Sequence, residues 1–167
     1  LYQYPKYKTD EEFSVPNTVT EIRTYAFYTV QHLKKIIIPD KEDSTRKIAS
    51  EFVSHANIEE VYIGKGSYFS STFYMFNNCT ILRSVTFHDD VEIYSVASPF
   101  SNCISLESYY IPPNTSIMQN LGSIPTSLKN LYYNATDLTI NPGGGLSSGT
   151  KKCTLTIGGN VDSLHFR

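Results

Sequence analysis

Apolar residues recur along the chain in a comb of the form L-x-x-I-x-I, in which the first, fourth and sixth positions are large and hydrophobic. The clearest copies are Leu33/Ile36/Ile38, Ile58/Val61/Ile63, Leu82/Val85/Phe87, Leu106/Tyr109/Ile111 and Leu128/Leu131/Tyr133. Their middle residues lie 25, 24, 24 and 22 positions apart, and a similar step leads back to Phe13 and Val15 and forward to Leu155 and Ile157. Since alternate residues of a strand face the same side, each copy predicts a short strand.

A second set of positions repeats in the same phase between the predicted strands. Phe stands six residues before the leading apolar residue at Phe27, Phe52, Phe76 and Phe100, and a turn residue follows each strand at Pro16, Pro39, Gly64, His88, Pro112, Asn134 and Gly158. Apolar residues return three and six positions later, as at Val19 and Ile22 and at Val91 and Tyr94. One such unit buries too little to offset the entropy of ordering it, so the units must stack. The sequence therefore predicts a repeat solenoid with a parallel sheet on one face.

The residue after each leading apolar position alternates in charge from unit to unit. This column reads Glu11, Lys34, Glu59, Arg83, Glu107 and Lys129. Opposite charges on neighbouring strands favour pairing by up to about 1 kcal/mol, so the column supports the same register as the apolar comb. Because it neutralises itself, we interpret it as structural, with a charge-reading binding site as the alternative.

Composition narrows the class of protein. The 167 residues have a formal net charge of −2 and 18% charged residues, which leaves no basic stripe for nucleic acid. No apolar run approaches the length of a membrane span, so we expect no membrane insertion. Abundant Tyr with no Trp, together with many Ser, Thr and Asn, mildly indicates an extracellular protein. The chain begins without Met and shows no signal-peptide pattern, so we expect a mature or excised segment.

The units resemble the BspA-like class of leucine-rich repeats, which read approximately I-P-x-x-V-x-x-I-x-x-x-A-F-x-N-C-x-x-L-x-x-I-x-I-P. The resemblance is carried by 15–22 with Ala26, Phe27 and 33–39, by 75–79 with Leu82, and by 99–103 with Leu106. It implies a right-handed, curved leucine-rich-repeat solenoid, with a short-stranded parallel β-sheet on one face and loops or short helical turns on the other. It also implies bacterial or protozoan surface proteins, often adhesins that bind proteins of a host or neighbouring cell, and it brings no catalytic residue.

The resemblance is close over residues 13–133 and loose over 134–167. We expect a single leucine-rich-repeat domain over 1–167, with a cap or partial repeat at 1–12, regular repeats of 22–25 residues at 13–133 and irregular repeats at 134–167. A polar run from Pro39 to Arg46 departs from the pattern where apolar residues should return. From Asn141 to Gly145 a Pro/Gly-rich stretch replaces the Ala-Phe step, and we expect irregular, mobile structure there.

Candidate reactive groups all have structural explanations. Cys79 and Cys103 hold one position in adjacent units, and rung spacing would bring their Cα atoms about 5 Å apart, within disulfide range. The resemblance implies instead that both are reduced and buried. His55 falls in the same position one unit earlier, which predicts a partly buried packing residue. His88, Asp89 and Asp90 follow a strand, where Asp commonly stabilises a turn.

Other motifs are weaker still. The stretch 144–151 places Thr before Lys and so misses the order of a phosphate-binding loop. Sequons at Asn78, Asn114 and Asn134 matter only in a secreted eukaryotic chain. We therefore expect no enzyme activity, no metal site and no cofactor.

The residue between the last two inward positions of each strand points out of the sheet and forms the candidate binding surface. This column reads Ser14, Ile37, Tyr62, Thr86, Tyr110, Tyr132 and Thr156. Tyr offers rigid contact area with a polar tip and is enriched at binding hot spots. We predict protein binding through Ile37, Tyr62, Thr86, Tyr110 and Tyr132, with a polar border of Lys35, Glu60, Ser84, Ser108 and Asn130. Because Tyr and Ile also suit strands intrinsically, a purely structural column is the alternative.

The function expected from the sequence is a non-enzymatic, monomeric binding module outside the cell or at its surface, which recognises a protein ligand. Two alternatives stay open. One is a spacer or repeat region of a larger secreted protein, and the other is a weak carbohydrate-binding surface, which the absence of Trp disfavours.

Overall fold

The chain folds into short strands joined by tight turns. The computed structural model describes residues 1–42, 45–120, 125, 127–134, 137–140, 154–157 and 163–166, and these contain fourteen strands and no helix. In chain order the strands are β1 (Glu12–Ser14), β2 (Glu21–Ile22), β3 (Lys35–Ile38), β4 (Arg46–Ile48), β5 (Glu60–Ile63), β6 (Ser67–Phe69), β7 (Ser84–Phe87), β8 (Glu92–Ala97), β9 (Ser108–Ile111), β10 (Thr115–Asn120), β11 (Asn130–Tyr133), β12 (Asp137–Ile140), β13 (Thr154–Ile157) and β14 (Ser163–Phe166). No helix capable of spanning a bilayer occurs within these ranges.

The odd-numbered strands form the sheet that the apolar comb predicts, here called the first sheet. β1, β3, β5 and β7 pair in parallel, and their inward residues align as Phe13, Ile36, Val61 and Val85. β9, β11 and β13 continue the same arrangement. β7 and β9 are neighbours, but within the described residues their hydrogen-bond ladders belong to separate sheets. The solenoid and the strand register predicted from the sequence are confirmed.

The even-numbered strands form a second set of parallel strands, here called the second sheet: β2, β4, β6, β8 and β10 pair in order, and β12 pairs with β14 after an interruption of the ladder. We expected loops or short helical turns outside the first sheet; the described residues there form turns and loops together with the strands of this second sheet, and they contain no helix. The reason is alternation with a period of two, as in β6 and β8, where buried residues are separated by accessible ones. Ile93 therefore faces the interior, and Tyr94, which we expected to return to it, is 54% exposed.

The core lies between the inward residues of the two sheets, and a ladder of aromatic rings runs through it. Tyr4, Phe27, Phe52, Phe76 and Phe100 succeed one another with ring centroids 5.5–6.4 Å apart. The backbone N–H of Tyr4 donates to Ala26 O, the residue before Phe27, just as that of Phe76 donates to Pro99 O, the residue before Phe100, so Tyr4 occupies the Phe position one unit earlier. The segment that precedes β1 thus shares the packing of the later units.

The polar run after Pro39 is accommodated by a buried charge. Arg46 is 0% exposed, and its guanidinium donates to Val19 O at 3.0 Å, to Pro39 O at 2.8 Å and to Asn17 Oδ1 at 3.4 Å. Burial lowers the pKa of Arg46. Ile48 then pairs with Ile22, so the second sheet continues after three inserted residues. The guanidinium replaces the expected apolar contact by hydrogen bonds to two backbone carbonyls.

Two residues with positive φ, four positions apart, shape the turn of each of four units. The pairs are Tyr25/Thr29, Glu51/His55, Tyr74/Asn78 and Ser98/Asn102. Asn and His tolerate this left-handed conformation better than most residues. His55 is exposed, so its expected role as a partly buried packing residue is wrong; Ala56 is the buried residue next to it. The cause is a one-residue shift, since Phe52 follows the first left-handed residue by one position rather than two.

Candidate binding face

The outward residues of the first sheet lie in two rows. Register pairing aligns Ser14, Ile37, Tyr62 and Thr86 in one row, and Tyr110, Tyr132 and Thr156 in the other. The interruption between β7 and β9 separates the rows. Among the five predicted binding residues, Ile37, Tyr62 and Thr86 are therefore neighbours on one side, and Tyr110 and Tyr132 on the other. We call these five residues the binding face.

Hydrogen bonds to the preceding unit hold two of the three tyrosines. Tyr62 is half-buried and its hydroxyl donates to Asp40 Oδ1 at 3.1 Å. Tyr110, also half-buried, donates to Asp89 Oδ1 at 2.7 Å and accepts a hydrogen bond from Asn134 Nδ2 at 3.1 Å. Each Asp lies in the turn after a strand of an earlier unit. The rings thus have fixed positions before any ligand arrives.

Hydrogen bonds and burial shift the pKa values of Asp40, Tyr62 and Tyr110. The backbone N–H of Lys65 donates to Asp40 Oδ1 at 2.9 Å and is the main cause of the lowered pKa of Asp40. Burial raises the pKa of Tyr62, and the hydrogen bond to Asp40 adds to that rise. For Tyr110 the same two causes act, burial first and the hydrogen bond to Asp89 second. The Tyr62–Asp40 pair therefore consists of a neutral phenol that donates to an ionised carboxylate.

A shallow depression of about 320 Å³ lies on the first row. Ile37, Tyr62 and Thr86 line it, and Lys35, Glu60 and Ser84 form its edge. Lys35 Nζ lies 3.6 Å from Glu12 Oε2 and 3.9 Å from Glu60 Oε2, so this lysine is shared between the carboxylates of two neighbouring strands. The surface offered to a ligand is an aliphatic and aromatic floor with a balanced polar border.

The alternating charge column stands beside this border in the predicted register. Glu59 lies between two cations, with Oε1 4.0 Å from Lys34 Nζ and Oε2 3.9 Å from Arg83 Nε. Lys129 Nζ lies 2.8 Å from Glu107 Oε1. The backbone follows the same order, because four N–H groups of this column each donate to the carbonyl oxygen of the column residue in the preceding unit. These bonds run from Lys34 to Glu11, from Glu59 to Lys34, from Arg83 to Glu59 and from Lys129 to Glu107. Ion pairs between neighbouring units thus join Lys34, Glu59 and Arg83, and Glu107 and Lys129, which agrees with a structural role.

The model of the BspA type leucine rich repeat region matches residues 4–135 in six copies. The chain belongs to this family. The match begins at Tyr4, the first ring of the aromatic ladder. No curated protein matches the chain. A solved leucine rich cell surface protein from Faecalibacterium prausnitzii A2-165 is similar with a TM-score of 0.51 and 20% identity, over 94% of this chain and 34% of that one. At this identity the likeness concerns the fold, and the chain spans about a third of the length of that protein.

The two cysteines of the BspA-type Asn-Cys step are free and buried, as the resemblance implied. The thiol of Cys79 is directed at Val53 O at 3.9 Å, and that of Cys103 at Phe76 O at 3.0 Å. Burial raises the pKa of Cys79 to about 12 and also raises that of Cys103. Thiolate is the reactive form, so both groups are inert packing residues at neutral pH.

The asparagines of the same BspA-type step form a hydrogen-bonded row on the turns. Asn102 Nδ2 donates to Asn78 Oδ1 at 2.8 Å, and Asn78 Nδ2 lies 2.9 Å from His55 Nε2. The sequon residue Asn78 thus has both ends of its amide occupied. Of the other sequon residues, Asn114 is exposed, whereas Asn134 is half-buried and donates to Tyr110. At the turn after β7, His88 Nδ1 accepts from the backbone N–H of Asp90, which is the local hydrogen bonding expected there.

A depression on the second sheet was missed by sequence reasoning. It has a volume of about 510 Å³, and Tyr68, Glu92, Tyr94, Pro113, Asn114 and Ser116 line it. We call it the Glu92 pocket. The signal that could have revealed it is the alternation around Ile93, because a buried Ile93 places Glu92 and Tyr94 together on the outer face. The segments 121–124, 135–136 and 141–153, which include the Gly-rich loop, lie outside the described residues.

Proposed function

We propose that this chain is a non-enzymatic binding module, located at a cell surface or outside the cell, that recognises a protein ligand through the binding face. The observation that carries this proposal is the fixation of Tyr62 and Tyr110 by Asp40 and Asp89. Ordering a flexible side chain on binding costs about 0.5–1.5 kcal/mol, and a ring that is already held avoids most of that cost. A column present only for strand stability would gain little from carboxylate partners in the turns.

Family and fold support the surface location. BspA-type repeats and the similar F. prausnitzii cell surface protein both point to an extracellular setting. The domain extent proposed is the whole of 1–167, with regular units at 13–133. Repeat solenoids commonly use an extended sheet face for binding, and aromatic residues at the centre of such a face are the usual energetic anchors.

The test replaces Tyr62, Tyr110 and Tyr132 together by Ala in the full chain. A matched control replaces Tyr2, Tyr7 and Tyr28, which are exposed tyrosines away from the binding face. Binding to immobilised extracellular-matrix proteins is measured by biolayer interferometry and binding to whole cells by flow cytometry, with circular dichroism as the check of folding. Hot-spot truncations cost about 2 kcal/mol or more each, so we expect at least a thirtyfold weaker interaction for the first variant only.

Two results would contradict the proposal. Unchanged binding by the folded binding-face variant would place the contact elsewhere. Absence of binding by the unaltered chain to every protein and cell, with no signal on a glycan array, would favour the spacer. A glycan signal that the Tyr variant loses would instead identify the face as a carbohydrate surface.

A further inference from the structure

The Glu92 pocket lies on the second sheet and is independent of the binding face. Its floor is built by strand register: Tyr68 of β6 pairs with Glu92 of β8, and Ile93 pairs with Thr115 of β10. Asn114 and Ser116 consequently flank Glu92 and Tyr94 on the next strand. The turn that carries Asn114 is held by a hydrogen bond from Thr115 Oγ1 to Pro112 O at 2.9 Å. The pocket is thus formed by rigid parts of the stack.

Glu92 differs from four carboxylates on the side of the first sheet because it has no cationic partner among the residues that the structure describes. Glu12, Glu59, Glu60 and Glu107 each have a Lys or Arg nitrogen of a neighbouring unit within 4.0 Å. Glu92 is exposed and forms no ion pair or hydrogen bond within the part of the chain that the structure describes, and the residues beside it on both neighbouring strands are neutral. The pocket therefore carries one uncompensated negative charge.

Two aromatic rings border this charge. Tyr68 is half-buried on the neighbouring strand, and Tyr94, 54% exposed, projects from the same face of β8 as Glu92. Asn114 directs its amide nitrogen at Asp89 O at 3.5 Å, which leaves its Oδ1 as a further acceptor. A carboxylate, an amide oxygen and two aromatic faces match a guanidinium, which is planar, stacks on rings and donates in several directions.

We propose that the Glu92 pocket binds an arginine side chain presented by an extended peptide segment of a partner protein. Glu92 accepts hydrogen bonds from the guanidinium, Tyr94 and Tyr68 cover its faces, and Asn114 Oδ1 takes a remaining donor. Arginine is favoured over lysine because a strongly hydrated ammonium loses more on leaving water and has no planar surface to stack. The partner thus carries an exposed arginine, and it approaches a face of the solenoid different from the binding face.

The test uses the full chain labelled with 15N and the blocked tripeptide acetyl-Gly-Arg-Gly-amide, with the citrulline peptide as its neutral isostere. We expect the arginine peptide to shift amide resonances at 68, 92–94 and 114–116 with a dissociation constant in the millimolar range, and the citrulline peptide to bind at least about fivefold more weakly, or about 1 kcal/mol. Glu92→Gln and Tyr94→Leu should each weaken binding by a similar factor. Glu21→Gln, on the same sheet but paired with Arg23, should leave it unchanged.

Several outcomes would overturn this assignment. They are equal affinity for the two peptides, no effect of Glu92→Gln in a chain with an otherwise unaltered spectrum, or shifts confined to the first sheet. Added salt should weaken the interaction, since an exposed charge pair is screened, and insensitivity to salt would also contradict it. The proposed function is tested separately, because the Tyr62, Tyr110 and Tyr132 variant and its binding partners are not used in this experiment.

Discussion

Gly64, the turn residue after β5, is where a single methyl group tests the stacking of the units most directly. A Cβ at this position would lie 2.4 Å from Asp40 Oδ1, 2.6 Å from Asp40 N and 2.7 Å from the carbonyl carbon of Pro39. Unstrained contacts of this kind need about 3.5 Å. Two of the three atoms belong to the backbone of the preceding unit, so rotation of a side chain cannot make room. The backbone of Gly64 does not adopt a positive φ, so glycine is required at this position for lack of space and not for its conformation.

The cost of Gly64→Ala follows from what must move. Overpacking alone costs about 1–3 kcal/mol. Separation of the two units would also weaken the bond from Gly64 N to Ile38 O and the two bonds that Asp40 accepts from Lys65 N and Tyr62 Oη, at about 1 kcal/mol each. We expect the free energy of unfolding to fall by about 3–5 kcal/mol, a large share of the roughly 5–15 kcal/mol that holds a domain together.

Urea denaturation followed by far-UV circular dichroism measures this loss. Gly66→Ala is the matched control, because Gly66 has a φ of 72° and its replacement should cost only the conformational penalty of about 1–2 kcal/mol. Gly64→Ala should be the more damaging of the two. If it costs less than about 1 kcal/mol, or less than Gly66→Ala, then the close approach to Pro39 and Asp40 is not needed for stacking and the reasoning is refuted.

Two further predictions concern buried polar groups. Among the described residues, the buried hydroxyl of Tyr109 has no hydrogen-bond partner, while its ring packs on Phe100 with centroids 4.5 Å apart. Tyr109→Phe should therefore raise the free energy of unfolding by about 1 kcal/mol, and lower thermal stability would contradict this. The pKa of Cys79 is raised from 9.0 to about 12, so with rising pH the unfolded chain loses this proton first. The stabilising effect is complete below about pH 9 and declines by about 1.4 kcal/mol per pH unit above it. Urea titrations at several alkaline pH values should show a shallower decline for Cys79→Ala, and equal slopes would show that the thiol does not contribute.

The first sheet could be predicted from the sequence because its signal is redundant. Val61, Val85 and their equivalents repeat at nearly constant steps, and the charge column through Glu59 repeats in phase with them. A one-residue error would have turned every inward residue outward. The strand register could therefore be derived without any knowledge of the turns.

The second sheet and the turns could not be derived in the same way. Three inserted residues before Ile48 break the period, and the gap is filled by Arg46, a residue whose burial depends on carbonyls supplied from elsewhere in the stack. In the unit of His55 the turn is shifted by one residue relative to Phe52, but Phe52 still lies six residues before Ile58. The pattern of apolar residues therefore gave no sign of the shift. The apolar spacing alone cannot distinguish Ile93 from Tyr94 as the inward residue.

The binding face was only partly accessible for a related reason. Alternation identifies Tyr62 and Tyr110 as outward residues, but their half-burial and their bonds to Asp40 and Asp89 depend on side chains more than 20 positions earlier. The close approach of Gly64 to Asp40 is likewise a contact between units. The periodicity of the sequence predicts the structure within one repeat unit, whereas these features are contacts between neighbouring units.

The hydrogen-bond ladders of the two sheets are interrupted at different steps along the stack. The first sheet is interrupted between β7 and β9, where the second sheet continues from β8 to β10, and the second is interrupted between β10 and β12, where the first continues from β9 to β11. Within the described residues, every step from β1 to β11 is therefore crossed by at least one unbroken set of hydrogen bonds. A pulling force along the axis meets no plane on which both ladders part together, so rupture must pass from one sheet to the other and break side-chain packing on the way.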